Sequence, residues 1–428
     1  MHDESLSFPA PIDDPVTRLD GVLGIVQAGG QGSRLGVLTR HRAKPALAFA
    51  GEYQLIDFAL SSMAHAMLPD VWVSVQYRAS SLDHHLSSGR PWDLDRTRGG
   101  YRRVVPEQGG SKREEGFSTG NADDLYRLWG QVKRLDPDTV IVMSADHVFA
   151  LDLRDVIDAH RAAGAECTVV TAEVSRQEAT HKAVVTVGPG GRVTSIDYKP
   201  ERAESTTVLT EIFVYDAAVL GDGLRELSSA RRKELGGAAD EHDSGLGDFG
   251  EELLPWFVAR GTTYAFPMDG YWRDVGRIES YLGAHRDLLA GRIDAFTHER
   301  MPILTRRDQR LPARVDVEAD VDDAYLSVGC VIGGTVHRSV LGPGVVVEPG
   351  ATVVDAVIGK DTVVRSGARV HTAIVDKRCV IGRDAMVGAQ PAGTRPREGD
   401  IAVLGQEVRL SSGTQIEPGA AVEPRRRI

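Results

Sequence analysis

The pattern of apolar and polar residues divides the chain into two parts with different periods. In the first 290 residues, short apolar runs alternate with helical patterns. Three of the runs are continuous enough to be buried on both faces of a sheet, at 22–30, 71–77 and 139–146. Helical patterns lie between them, at 53–67 and 121–135. Alternating strands and helices predict an α/β fold with a mostly parallel sheet covered by helices.

Two further stretches extend this part of the chain. Closely spaced β-type runs predict an added β-rich portion, at 166–174, 183–200 and 210–216. The segment 228–247 is polar and rich in glycine, so we expect a loop there.

From about Leu326 the apolar positions recur in steps of five or six residues, and the pattern closes every 17 residues. Neither a helix nor an ordinary strand has that period, whereas a parallel β-helix with three flat sides per coil does. A glycine-rich β-sandwich is the alternative. The residues expected to point to the axis of the β-helix are Leu341, Val347, Val353, Ile358, Val364, Val370, Val375, Ile381 and Val387.

These patterns predict four segments along the chain. We expect an N-terminal tail at 1–20, an α/β domain at 21–295 and a linker at 296–325. The β-helix and a C-terminal tail would then occupy 326–428.

Charge and composition exclude several classes of protein. The net charge of −11 argues against nucleic acid or an anionic membrane as the main partner. No apolar run approaches the roughly 18 residues of a membrane helix, and the N-terminus has no apolar core of a signal peptide. Three widely spaced cysteines give neither a disulfide framework nor a metal-ligand spacing, which favours a cytoplasmic protein.

The segment 28–46, AGGQGSRLGVLTRHRAKPA, follows the first predicted strand directly. Its glycines would let backbone N–H groups approach a phosphate chain, and Arg34, Arg42 and Lys44 would add positive charge. The spacing fits neither the dinucleotide-binding fingerprint nor the Walker motif. A surface loop with scattered charges is the alternative.

This loop resembles the GGxGxRLxxLTxxRAKPA motif of the bacterial ADP-glucose pyrophosphorylases, also called glucose-1-phosphate adenylyltransferases. Further segments match that family in order: IDFALSS, VQY, SADHVF, YKP, DFGEELLP and YWRDVG. The resemblance covers residues 21–390. It implies a Rossmann-like nucleotidyltransferase sheet followed by a left-handed parallel β-helix of hexapeptide repeats, with ATP and a sugar 1-phosphate as substrates, Mg²⁺ as cofactor and a homotetramer as assembly.

The implied reaction requires that two phosphates be neutralised and aligned. The attacking phosphate is already an anion, so none of the 13 histidines needs a catalytic role. By resemblance, Asp146 and Asp274 are the metal-binding pair. The alternatives are that Asp146 caps a helix and that Asp274 pairs with Arg273.

The other site residues also follow from the resemblance. Arg34 matches the residue at the leaving pyrophosphate, Lys44 is a phosphate-neutralising helper, and Lys199 matches the lysine that holds the sugar phosphate. The sugar-phosphate site would also contain Tyr198 and Glu211. The expected nucleotide-binding residues are Ala28, Gly29, Gly30, Gly32, Gln76, Gly120 and Asp123.

Several positions depart from the family pattern. Tyr198 replaces a glutamate expected to bind sugar hydroxyls, and Glu211 replaces a glycine. HKA at 181–183 replaces AFG, and FST at 117–119 replaces Trp-Tyr-Arg. Glu52 replaces a lysine associated with activation by phosphorylated sugars. These changes leave the sugar and the effector open.

Three alternatives to an ADP-glucose-forming enzyme follow. The same chemistry could act on another sugar 1-phosphate, such as an amino sugar facing Glu211. A regulatory subunit would be free to lose a metal-binding aspartate, but both are retained. An acyl transferase in the β-helix could use His337 or His371, although about three coils leave little room for the carrier.

Overall fold

The computed structural model describes residues 19–30, 32–105, 118–234, 244–296, 298–390 and 398–428. Most of the expected N-terminal tail and the middle of the predicted 228–247 loop lie outside these residues. None of the helices in the described ranges is long and apolar enough to cross a membrane.

The first half of the α/β domain alternates strands with helices. Its elements are β1 (Val22–Gln27), β2 (Ala48–Phe49), β3 (Tyr53–Gln54), α1 (Ile56–His65), β4 (Asp70–Ser74), α2 (Ser80–Leu86), β5 (Gly100–Val104), α3 (Asn121–Leu135), β6 (Thr139–Ser144), β7 (His147–Phe149) and α4 (Leu153–Ala162).

The second half of this domain is richer in strands. It contains β8 (Cys167–Glu173), α5 (Arg176–Ala179), β9 (Ala183–Val187), β10 (Val193–Tyr198), β11 (Thr207–Asp216), α6 (Ala217–Glu234), α7 (Leu253–Ala259), β12 (Thr263–Pro267), β13 (Trp272–Asp274) and α8 (Ile278–Leu289).

The main sheet has the strand order β10-β9-β11-β6-β1-β4-β5, with β8 joining β11 to β12. Strands β6, β1, β4 and β5 are mutually parallel, as the sequence predicts. Strand β11 runs antiparallel to β6 and β8, so the added β-rich portion reverses direction on one side.

Close packing of α1 on β1 explains a glycine inside a buried strand. A Cβ on Gly24 would lie 2.8 Å from the Met63 sulfur and 2.9 Å from Leu68 Cδ1. Only glycine lets these side chains approach the strand so closely.

The predicted loop at 228–247 is wrong at its start, because α6 continues to Glu234. Ser228 is buried, and Arg231 pairs with both Glu234 and Glu252. Charged contacts therefore stabilise the end of this helix. The polar sequence does not predict them, because the same composition is typical of a loop.

The C-terminal part is a stack of parallel strands, as predicted. Its strands are β14 (Arg314–Val315), β15 (Asp320–Leu326), β16 (Val331–Ile332), β17 (Thr335–Leu341), β18 (Val346–Val347), β19 (Thr352–Ile358), β20 (Val363–Val364), β21 (Arg369–Val375), β22 (Val380–Ile381), β23 (Met386–Val387), β24 (Ala402–Leu404), β25 (Gln415–Ile416) and β26 (Ala421–Val422).

The register of this stack agrees with the 17-residue period. Val336, Val353, Val370 and Val387 pair in turn along β17, β19, β21 and β23. All nine predicted axial residues belong to one buried core. Strand β14 and all of β15 except its last residue, Leu326, lie within the segment expected to be a linker.

The β-helix packs against the α/β domain through an apolar face. Val340, Val357 and Ile374 come one from each of three successive coils. They share a core with Leu38, which lies in the glycine-rich segment 28–46 (the glycine loop), and with Leu47, which follows it. The glycine loop is therefore anchored to the second domain.

A buried ion pair crosses the same interface. Arg42 pairs with Asp376, and their side chains are only 8% and 7% exposed. Arg42 does not line the cavity described below. It is thus an interface residue, contrary to our expectation that it binds phosphate.

We predict that Arg42→Met lowers the free energy of unfolding by about 3–5 kcal/mol, because Asp376 would remain buried without its cation. Urea unfolding measures this loss. Arg40→Met is the matched control, since Arg40 pairs with Glu423 across the same interface but the two side chains are 60% and 50% exposed. Its loss should be about 0–1 kcal/mol. Equal losses in the two variants would contradict the importance of burial.

Candidate active site

A cavity of about 480 Å³ lies beside the carboxyl ends of β1, β4 and β6. Open α/β sheets bind ligands at this edge. The predicted site residues that line it are Gly29, Gly30, Arg34, Lys44, Gln76, Gly120, Asp146, Tyr198, Lys199, Glu211 and Asp274.

Three predicted nucleotide-binding residues do not line this cavity. Ala28 is buried, and its N–H donates to the Ser74 carbonyl at 2.8 Å. Gly32 has a left-handed backbone with φ of 63°, and a Cβ there would lie 3.0 Å from Lys44 Cβ. Gly32 therefore supports Lys44 by leaving room beside it.

Asp123, the third of them, is fully buried beneath the surface of the site. Its carboxylate accepts hydrogen bonds from the Thr119 N–H at 3.1 Å, Arg127 Nε at 2.9 Å and Ser244 Oγ at 2.6 Å. Asp123 therefore does not line the cavity, and its hydrogen bonds hold together the two loops that frame it.

The neighbouring Asp124 faces the cavity instead. It accepts from Ser74 Oγ at 2.8 Å and from the side-chain nitrogens of Gln27 and Gln76, both at 3.0 Å. Burial raises the pKa of Asp124, although these hydrogen bonds oppose the change. The sequence pattern does not distinguish Asp123 from Asp124, since both lie in the first turn of α3.

The start of α3 is fixed by a second loop. The Ala122 N–H donates to the Gly247 carbonyl at 3.2 Å, and Asn121 Oδ1 accepts from the Phe249 N–H at 2.6 Å. A Cβ on Gly120 would lie 2.3 Å from backbone atoms of Gly247. Because Gly120 has no side chain, the backbone at the start of α3 can approach the backbone of Gly247 this closely. Ser118 and Thr119 also line the cavity, while Phe117 lies outside the described residues.

Strand pairing brings the two aspartates of the expected metal site together. Strands β7 and β13 run antiparallel, with Asp274 opposite His147, and Asp146 immediately precedes β7. The Lys44 ammonium lies 2.5 Å from Asp146 Oδ2 and 3.3 Å from Asp274 Oδ1. Neither structural alternative describes the molecule, because Arg273 pairs with Asp287 and Asp152 caps α4.

Both aspartates are held ionised. Burial alone would raise their pKa values, but Lys44 and His147 outweigh it and lower the pKa of Asp146 to about 2. Lys44 and Lys182 hold the pKa of Asp274 well below its usual range. Conversely, the two carboxylates raise the pKa of the buried Lys44 against the effect of burial.

The carboxylate oxygens of Asp146 and Asp274 fit a hard divalent cation such as Mg²⁺. Ligand atoms of Asp146, His147 and Glu211 lie within 4.8 Å of one another. The Nδ1–H of His147 donates to the Thr210 carbonyl at 3.0 Å, which directs Nε2 toward Asp146 at 3.3 Å. His147 was not expected in the site, and no histidine spacing in the sequence indicates it.

The residues that depart from the family pattern also line this cavity. Lys199 Nζ donates to the Tyr198 hydroxyl at 2.8 Å, and that hydroxyl donates to Asp248 at 3.3 Å. Glu211 has a left-handed backbone with φ of 56°, a conformation that favours the glycine expected there. The Glu211 side chain is exposed, but partial loss of its hydration inside the cavity and the nearby Asp146 raise the pKa of Glu211.

Comparisons with known proteins agree with this geometry. A nucleotidyl transferase family model matches residues 23–291, and a GlmU-like C-terminal hexapeptide model matches residues 312–398. A glucose-1-phosphate adenylyltransferase of Pseudothermotoga lettingae is 35% identical over 77% of this chain and 76% of its own length. One from Desulfitobacterium hafniense is 30% identical over 94% of this chain and 97% of its own length.

This chain belongs to the glucose-1-phosphate adenylyltransferase family. A further member, from Clostridium acetobutylicum, is 31% identical over 76% of this chain and 83% of its own length. The predicted resemblance is thereby confirmed for both domains.

We predict that Gly120→Ala lowers the free energy of unfolding by about 1–3 kcal/mol, because the added methyl group overlaps the Gly247 backbone. The KM for ATP should rise severalfold as the start of α3 moves. Thermal unfolding and steady-state kinetics measure both effects.

Gly130→Ala in the same helix is the control for this substitution. A Cβ there meets no atom within 4 Å, so the change should stabilise the helix by about 1 kcal/mol. Similar behaviour of the two variants would show that the approach of the two loops does not matter.

Proposed function

We propose that this chain forms ADP-glucose and pyrophosphate from ATP and glucose 1-phosphate, for glycogen or α-glucan biosynthesis. The observation that carries the proposal is the shared contact of Asp146 and Asp274 with the Lys44 ammonium, in a cavity that the glycine loop also lines. Relatives that span most of the chain are named glucose-1-phosphate adenylyltransferase, which supports the same reaction.

In this reaction a phosphate oxygen of the sugar 1-phosphate bonds to the α-phosphorus of ATP. The bond from that phosphorus to the oxygen bridging to the β-phosphate breaks, and pyrophosphate leaves with the electron pair. The incoming oxygen is already anionic, so no side chain has to remove a proton. Charge neutralisation and alignment are what the site must supply.

The residues of the cavity can divide this work. Backbone N–H groups of Gly29 and Gly30 would approach the triphosphate, and Arg34 would accompany the leaving pyrophosphate. Lys199 would hold the phosphate of the sugar. Asp146 and Asp274 would hold Mg²⁺, which when bound supplies further positive charge to the reacting phosphates.

A different sugar 1-phosphate is the second candidate substrate. Tyr198 cannot offer the two acceptor oxygens of the glutamate that it replaces, while Glu211 adds a carboxylate to the cavity. An amino sugar would place a cation near Glu211. Unmatched polar groups can change selectivity by orders of magnitude.

We also propose a homo-oligomer, a tetramer by family resemblance, and a cytoplasmic location. Support for association comes from apolar side chains exposed where the β-helix begins. Val317 is fully exposed, Leu311 is 82% exposed, and Val315 and Tyr325 are each about half exposed. Another copy of the chain could cover them.

A panel of sugar 1-phosphates with ATP and Mg²⁺, followed by pyrophosphate release, tests the proposed substrate. We expect glucose 1-phosphate to give the highest kcat/KM. A higher value for glucosamine 1-phosphate would favour the second candidate, and Glu211→Gly should then reduce that preference. Turnover with none of the sugars would contradict the proposed activity and favour a regulatory subunit.

A further inference from the structure

Each carboxylate oxygen of Asp274 faces a different lysine. Oδ1 lies 3.3 Å from the Lys44 ammonium, and Oδ2 pairs with the Lys182 ammonium. Lys44 also contacts Asp146, whereas Lys182 pairs only with Asp274 among the described residues. Removing the charge of Lys182 would therefore leave both contacts of Lys44 in place.

Lys182 is held firmly in this position. Its side chain is 19% exposed, and its ammonium lies 5.2 Å from the centre of the Trp272 ring. Its carbonyl accepts the Lys199 N–H at 2.9 Å, so the segment that carries it is tied to the end of β10. The cation–aromatic contact and the ion pair together aim the ammonium at Asp274.

We infer that Lys182 is an internal competitor for the divalent cation at Asp274. This inference rests on the proposed metal-binding pair. A divalent cation that binds Asp274 Oδ2 must first separate the Lys182–Asp274 ion pair. The cation and the Lys182 ammonium would also repel each other. Lys182 therefore weakens the binding of a divalent cation to the enzyme without substrates.

Once displaced from Asp274, the Lys182 ammonium can pair with the phosphate of the sugar substrate. Lys182 lines the same cavity as Lys199, the residue proposed to hold the sugar phosphate. The anionic substrate can therefore receive the ammonium that the divalent cation displaces. Lys182 acts as a positioning residue that links the binding of the cation to the binding of the sugar phosphate.

Binding of Mn²⁺ alone to the full-length protein, followed by the electron paramagnetic resonance signal of free Mn²⁺, tests this inference. We expect Lys182→Met to bind Mn²⁺ at least fivefold more tightly than the wild type, because the competing charge is gone. Lys182→Arg keeps the charge, and its affinity should stay within about twofold of the wild type. Lys133→Met, which removes an exposed lysine on α3, controls for loss of net positive charge.

The outcomes separate the inference from the proposed function. Equal or weaker Mn²⁺ binding by Lys182→Met, with binding by the wild type, overturns the inference alone. Binding by neither protein overturns the metal-binding pair and the inference with it. Thermal unfolding in EDTA and in Mn²⁺ confirms folding, and Mn²⁺ should raise the unfolding temperature more for Lys182→Met than for the wild type.

Discussion

The antiparallel pairing of β7 with β13 is the constraint on which the site depends. It sets Asp274 opposite His147 and so beside Asp146, although the two aspartates are far apart in sequence. Two carboxylates this close repel each other unless cations lie between them. Lys44 contacts both carboxylates, and Lys182 pairs with Asp274. The low pKa of Asp146 follows from the charges of Lys44 and His147. The site is thus a set of fixed opposite charges rather than a nucleophile with a base.

The rest of the molecule keeps this charge cluster in place. Lys44 belongs to the segment whose apolar residues pack on the β-helix, and Arg42, two residues earlier, is buried in an ion pair with Asp376. The second domain therefore contributes to the position of Lys44, and none of its described residues lines the cavity. A change at the interface between domains can reach the phosphate-binding segment through these contacts alone.

The period of the apolar residues predicts the β-helix well, because the same inward-facing positions recur in each 17-residue coil. It predicts the parallel strands of the α/β domain for a similar reason, since those strands are buried on both faces. The pattern fails where polar side chains decide the structure, as at the end of α6. The pattern also cannot choose between Asp123 and Asp124, because the two are adjacent in the first turn of α3. Asp124 lines the cavity, whereas Asp123 is buried beneath it.

The resemblance to a family predicts most of the cavity, including Arg34, Lys44, Asp146, Lys199 and Asp274. It does not indicate His147, Asp124 or Lys182 as parts of the site. Their positions follow from strand pairing and from contacts between segments distant in sequence. Local patterns contain no information about such contacts, so only a three-dimensional structure reveals them.

The central claim is that Asp146 and Asp274 act together on one cation. Measuring kcat/KM for Asp146→Asn, Asp274→Asn and the double variant tests it most directly. If the two carboxylates share the ion, each single change should reduce kcat/KM at least about a hundredfold, and the double variant should lose little more than the worse single variant. Losses that multiply in the double variant would contradict a shared site.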